Sequence, residues 1–91
     1  MGKFYVYILY SETSQKYYIG QTNNLLDRIQ RHNAGSVLST APHKPWRIVW
    51  SCEKPNRVEA MALEKKLKNL SKKRIELFIE KYSAGPVADE A

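Results

Sequence analysis

Residues 4–20 read FYVYILYSETSQKYYIG, two aromatic-rich apolar runs separated by a short polar segment. The first run, residues 4–10, is β-branched and aromatic and carries no charge, so it reads as a strand covered on both faces. Successive strand side chains point to opposite sides, which places Phe4, Val6, Ile8 and Tyr10 on one face and Tyr5, Tyr7 and Leu9 on the other. Tyr17-Tyr18-Ile19 reads as the return strand, ended by Gly20, with a four- or five-residue hairpin loop between. Register decides what the tyrosines can do. If Tyr10 pairs with Gln15, Tyr7 lies opposite Tyr18 and their rings share a face; a slip of one residue puts them on opposite faces.

Beyond the hairpin, Thr22-Asn23-Asn24 offers caps for a helix of about three turns over LLDRIQRHNA, with Asp27 in its first turn and Gly35 as its stop. Leu25, Leu26 and Ile29 form its apolar stripe, and Arg28 and His32, four apart, leave one flank together, half in the core and half in solvent. Residues 36–45 hold Ser, Thr and two prolines and read as an irregular loop, a common home for function. Trp46-Arg47-Ile48-Val49-Trp50 alternates and reads as a third strand. Asn56, with Glu59 three residues on, is a capping-box pattern opening a second helix whose stripe is Ala60, Leu63, Leu67 and Leu70. Glu64 borders that stripe, with Lys68 one turn further. Ser71 caps a third helix, with Ile75, Phe78, Ile79 and Tyr82 at i, i+3, i+4 and i+7. Residues 83–91 show no period and are expected to be a disordered tail.

Fifteen Lys+Arg against nine Asp+Glu give a net charge of +6, and setting aside Asp89 and Glu90 of the tail raises the body to about +8. A phosphate-bearing partner is the simplest reason for such a surface. A chain of 91 residues holds one domain. The single cysteine, Cys52, excludes an internal disulfide, the lack of a Cys/His cluster excludes a zinc signature, and both suit a reducing, cytoplasmic setting. An apolar run of seven residues followed at once by polar ones fits neither a signal peptide nor a membrane span.

Phosphodiester hydrolysis needs an activated water, positive charge on the non-bridging oxygens and help for the departing oxygen. Glu64 is a candidate ligand for one hard divalent ion, Arg28 a planar fork for phosphate, and His32 a hydrogen bond or a proton. A tyrosine would serve as base only if its pKa fell from about 10, which neighbouring cations favour. Each residue has an ordinary role beside the chemical one: strand tyrosines pack, Arg28 and His32 mark a solvated helix face, and Glu64 with Lys68 is a surface pair. Lys65, Lys66, Lys68, Lys72, Lys73 and Arg74 form either a solvated face or a phosphate-tracking patch. Glu59 reads as a cap, and Cys52 and His43 as incidental.

The ordered set is more specific than its parts. Tyr5-Val6-Tyr7, then Tyr18-Ile19-Gly20, Arg28 ten residues after Tyr18 with His32 one turn on, and Ala60-Met61-Ala62-Leu63-Glu64 opening a basic helix together resemble the GIY-YIG nuclease superfamily. In particular, the chain resembles its small stand-alone bacterial members of the uncharacterised single-domain type. The resemblance implies an α+β fold over residues 1–82: a small three-stranded antiparallel sheet flanked by three helices in the order β-β-α-β-α-α. It further implies a metal-dependent endonuclease hydrolysing DNA, structure-selective and linked to DNA repair or recombination, with one Mg²⁺ or Mn²⁺ on Glu64. Tyr7, Tyr18, Arg28 and His32 are its expected catalytic residues; Lys65, Lys68, Lys72, Lys73, Arg31 and Lys44 are the expected nucleic-acid contacts. The alternative is a non-catalytic nucleic-acid-binding module or one that recruits a repair partner. Expected partners are DNA and a targeting protein, with no membrane, for a monomer or weak dimer. Two departures stand out: Tyr5 occupies the place of the motif's glycine, and Ala41 follows the loop Thr40 where small members often carry Arg.

Overall fold

A computed structural model of the chain describes residues 3–83, and residues 84–91 of the expected tail lie outside that range. Its elements are β1 (Phe4–Ser11), β2 (Lys16–Thr22), α1 (Leu25–Ala34), a 3₁₀ turn (Ala41–His43), β3 (Trp46–Lys54), α2 (Arg57–Lys68) and α3 (Lys72–Ser83). The strands form one antiparallel sheet, as expected, and within it the spatial order is β2-β1-β3. The central position of β1 explains its unbroken apolar run. Val6 and Ile8 meet Ile19, Ala60, Leu67 and Ile75 under α2 and α3, while Tyr7 and Leu9 meet Trp46, Leu25 and Ile29 on the α1 side.

The hairpin pairs Tyr10 with Tyr17 and Tyr7 with Gly20, two places along from the pairing of Tyr10 with Gln15. Ser11 accounts for the difference. It is fully buried, its hydroxyl donates to His43 O at 2.6 Å and accepts from Ser14 N at 3.1 Å, and so it ends the strand and does not belong to the loop. The loop becomes residues 12–15 and closes with Gln15 in the left-handed region at φ 56°. Because the shift is even, Tyr7 and Tyr18 keep a common face, with ring centroids 6.3 Å apart. Tyr10 and Tyr17 pair on the opposite face, at 4.9 Å. His43, far from incidental, ties the loop in place: Ser14 Oγ lies 2.6 Å from its Nδ1.

β3 runs to Lys54, longer than the five residues its alternation suggested, and its register with β1 shifts between Ile8 and Leu9. Strict alternation would place both tryptophans on one face. The irregularity puts Trp46 with Tyr7 and Leu9 and turns Trp50 to the other side against Phe78, centroids 4.9 Å apart.

Asn24 caps α1 by accepting from Asp27 N, Gly35 ends it at φ 81°, and Asn56 caps α2 by accepting from Glu59 N. Ser71 Oγ accepts from Arg74 N at the start of α3. Two stripe residues leave the core: Leu26 is 74% exposed and Tyr82 is 55% exposed. α1 packs on the Tyr7 and Leu9 face of the sheet through Leu25, Ile29 and His32, which leaves Leu26 on its outer side.

Gly20 is required by space. A Cβ there would lie 2.6 Å from Tyr7 Oη and 2.7 Å from Cζ, closer than such atoms approach. The ring cannot yield, since its hydroxyl is anchored. Gly20→Ala is expected to lower stability by about 1–3 kcal/mol, the usual range for overpacking a filled site. Urea unfolding measures it, and a stability equal to the parent protein's would show that the ring swings aside freely.

Candidate active site

Tyr7 begins the site. Its residue is 1% exposed, and a buried phenol needs a partner, which α1 supplies: Tyr7 Oη lies 3.0 Å from His32 Nε2. His32 is the last inward-facing residue of α1 and is fully buried, not poised at the surface as its helical position suggested. Its other nitrogen, Nδ1, lies 2.8 Å from Thr40 Oγ1. Thr40 in turn donates its hydroxyl to Val37 O at 3.2 Å.

One proton arrangement satisfies every contact of this row. The proton of Thr40 is committed to Val37 O, so Thr40 Oγ1 accepts from His32 Nδ1–H. Burial, then the nearby positive Arg28, push the His32 pKa below its usual 6.5 and keep the ring neutral. Neutral His32 therefore presents Nε2 as an acceptor, and Tyr7 donates to it. Thr40 is held from its other side as well, because Trp46 Nε1 donates to Thr40 O at 2.9 Å. Asn33 fixes the start of β3 to α1 by accepting from Trp46 N at 2.6 Å and donating to Trp46 O at 3.0 Å.

Tyr18 and Arg28, both half-buried, lie over this row. The Tyr18 ring stands 4.8 Å from the His32 ring. Glu64 comes from α2, with its side chain 20% exposed. The Tyr7 hydroxyl feels the charges of Tyr18, Arg28 and Glu64, which places all three around it. Its pKa is pushed up to about 12, by burial first and Tyr18 next, with Arg28 opposing. The expectation of a tyrosine acidified by its cationic neighbours does not hold for Tyr7: loss of hydration outweighs the guanidinium.

Tyr7, Tyr18, Arg28, His32 and Glu64 are thus brought together, while the expected nucleic-acid contacts are dispersed. Lys68 pairs with Glu64 at 3.2 Å, Arg31 pairs with Asp27 at 3.0 Å, and Lys72 donates to Gln15 O at 2.8 Å. Lys65 and Lys73 are exposed, and Lys44 extends beside Gly35 at the end of α1. Thr40 and Gly20 are structural parts of the site that periodicity did not reveal. Thr40 lies in a loop without pattern, and the role of Gly20 depends on what stands across the strand pair.

The donor set bears on which cation would suit. Among the described residues no group of three or more His, Cys, Asp or Glu is gathered, so an all-protein cage is not built. A lone, partly exposed carboxylate such as Glu64 matches the habits of Mg²⁺ or Mn²⁺, which keep waters and take phosphate oxygens.

A family model described as the GIY-YIG catalytic domain matches residues 3–82. The chain is 44% identical over 54 residues to a structure-specific endonuclease subunit SLX1 homolog of Giardia intestinalis, a match covering 53% of this chain and 15% of that protein. It is also similar to a UPF0213 protein of Bacillus halodurans solved by NMR in solution, with a TM-score of 0.60 and 30% identity over 90% of this chain and 87% of that one.

The buried row makes two expectations. Thr40→Val strands the His32 Nδ1–H and should cost about 1–3 kcal/mol, whereas Thr40→Ser keeps the acceptor and should lose less; denaturant titration of the pair measures the difference. For His32, the unfolded chain binds a proton near pH 6.5 and the folded chain only at lower pH. Stability is therefore full above pH 6.5 and declines as pH falls from there to the lowered folded value. Melting curves between pH 8 and 5, set against His32→Gln, isolate that slope.

Proposed function

The chain belongs to the GIY-YIG catalytic-domain family, and from that premise we propose that it is a metal-dependent endonuclease hydrolysing DNA phosphodiester bonds. We place its preference with branched, nicked or single-stranded DNA, in repair or recombination. The observation that carries this reading is the meeting of Tyr18, Arg28 and Glu64 over the buried Tyr7–His32–Thr40 row.

Arg28 presents a fork of N–H donors and a fixed positive charge to the non-bridging oxygens of the phosphate. Tyr18, the more accessible tyrosine, orients the attacking water. Tyr7 and His32 act together as proton acceptor: the water's proton goes to the Tyr7 oxygen as the Tyr7 proton passes to Nε2. A free phenolate is never needed, which matters for a group with a pKa of about 12. Thr40 holds the imidazole in the tautomer that can receive it. Glu64 would hold Mg²⁺ or Mn²⁺, which supplies charge to the phosphate and the departing oxygen.

The relative in Giardia is named a subunit, and a small cutting domain has little area for sequence readout, so a targeting protein partner is part of this proposal. So is a reducing, cytoplasmic setting for a monomer or weak dimer with one free cysteine. Among the described residues no helix is long and apolar enough to cross a membrane. One observation favours the second reading, a module that binds nucleic acid without cutting it: Lys68 already occupies the carboxylate of Glu64.

Purified protein incubated with plasmid and with branched DNA should introduce strand breaks in Mg²⁺ or Mn²⁺ and stop when chelator is added. Arg28→Ala should slow cutting by about 10²–10³-fold, as expected when one preorganised donor to a charged transition state is removed. Glu64→Ala should abolish it. Breaks that continue unchanged in Glu64→Ala would trace the activity to a contaminant, and binding without any cutting would favour the second reading.

A further inference from the structure

Among the described residues no strand pairs with the outer edge of β2. Between that edge and the turn joining α2 to α3 lies a groove of about 660 Å³. Its floor is apolar, formed by the Tyr17 ring with Leu70 and Ile75, and its rim carries Lys16, Lys68 and Lys72. The volume falls within the roughly 300–1,000 Å³ of sites that enclose a small organic group.

The groove borders the candidate active site through two shared residues. Tyr18 lines it and stands 4.8 Å from the His32 ring. Lys68 lines it and pairs with Glu64 at 3.2 Å. Of the acidic groups nearby, Glu64 is met by Lys68 and the negative charge of Glu76 reaches Tyr17, and the three lysines Lys16, Lys68 and Lys72 leave the rim net positive against these two.

We propose that this groove binds an unpaired stretch of the DNA strand next to the phosphate being cut, with a base against Tyr17 and Leu70 and its phosphates on the rim lysines. The assignment rests on the endonuclease reading and gives it a substrate class. An apolar, aromatic-floored channel with cationic edges is the usual solution for single strands: every base has a stacking face, and the backbone is tracked by charge. A base in a duplex would have to unstack and leave its partner to lie against Tyr17 and Leu70, so the groove favours an unpaired strand. A peptide adding itself to the β2 edge fits less well. Lys72 reaches across from α3 to Gln15 O at 2.8 Å, at the point where the ladder of such a peptide would begin.

Fluorescence anisotropy with a labelled oligonucleotide, single-stranded and as a blunt duplex, tests this in chelator so that no cutting is required. The single strand should bind more tightly than the duplex. Tyr17→Leu should weaken single-strand binding about tenfold, the loss of one base–aromatic contact, while Tyr17→Phe retains it. Lys16→Ala and Lys72→Ala should each lower the salt slope of single-strand binding by about 0.7 and spare the duplex. Circular dichroism checks the fold of each variant, and the lysine variants decide the matter if Tyr17→Leu does not fold. Equal losses for both DNA forms, unchanged affinities, or displacement of the oligonucleotide by an acidic peptide but not by unlabelled single strand would overturn the proposal. Plasmid cutting in Mg²⁺ that persists beside unaltered single-strand affinities sinks the groove assignment alone. Selective binding without cutting sinks the endonuclease reading alone.

Discussion

A phenol hydroxyl placed in the middle of a sheet must find a hydrogen bond or cost the fold several tenths of its stability, and the Tyr7–His32 contact is how this chain meets that demand. Much else follows from it. His32 must lie inside, so α1 packs by the flank that holds Leu25, Ile29 and His32, and Leu26 is released to solvent. The second imidazole nitrogen needs its own partner, so the loop after α1 folds back to deliver Thr40, Trp46 pins that loop to β3, and Asn33 ties α1 to the start of the same strand. The hydroxyl end of the ring needs room, and the facing strand gives it by carrying Gly20.

The same constraint separates what was legible in the sequence from what was not. Element order, helix caps and the two-faced character of β1 rest on local rules, and they emerge from caps at Asn24 and Asn56, Gly35 as a stop, and an apolar run too continuous for a half-exposed strand. The hairpin register does not. Placing its end depends on Ser11, a polar residue that looks like loop until a carbonyl thirty-two residues away accepts its proton. The common face of Tyr7 and Tyr18 nevertheless survives, because the observed register differs by two residues from the pairing of Tyr10 with Gln15, and only an odd difference moves the tyrosines apart. Strict alternation failed at β3 for a related reason: a one-residue irregularity, which leaves no mark in the sequence, lets its tryptophans serve opposite cores. The family match over residues 3–82 and the structural likeness to the Bacillus halodurans protein agree with the motif reading, since the motifs mark the chain positions that meet at Tyr7.

Electrostatics gives the site two layers. Below, Tyr7 and His32 are both held in their neutral forms, the phenol by burial and the imidazole by burial and Arg28 together. Above, Arg28, Tyr18 and Glu64 keep access to solvent and carry the charge that a phosphate would meet. In the reaction proposed for this site, such a neutral pair beneath a charged surface would let a proton leave the reacting centre without passing through an ionised tyrosine.

Lys68 joins that surface to the groove along β2. Its pairing with Glu64 is an i,i+4 helix contact with one half-exposed partner, the kind that contributes only about 0.3–0.5 kcal/mol. So small a term cannot compete with a divalent cation for the same carboxylate, and the lysine would then be free to turn toward a strand in the groove. On the binding-only reading the ion pair would persist, whereas on the metal-dependent reading it would be a resting place for a cation used elsewhere. Under that view the carboxylate and the groove are not independent sites. Loading one would alter the charge offered by the other, through the single side chain of Lys68 on α2.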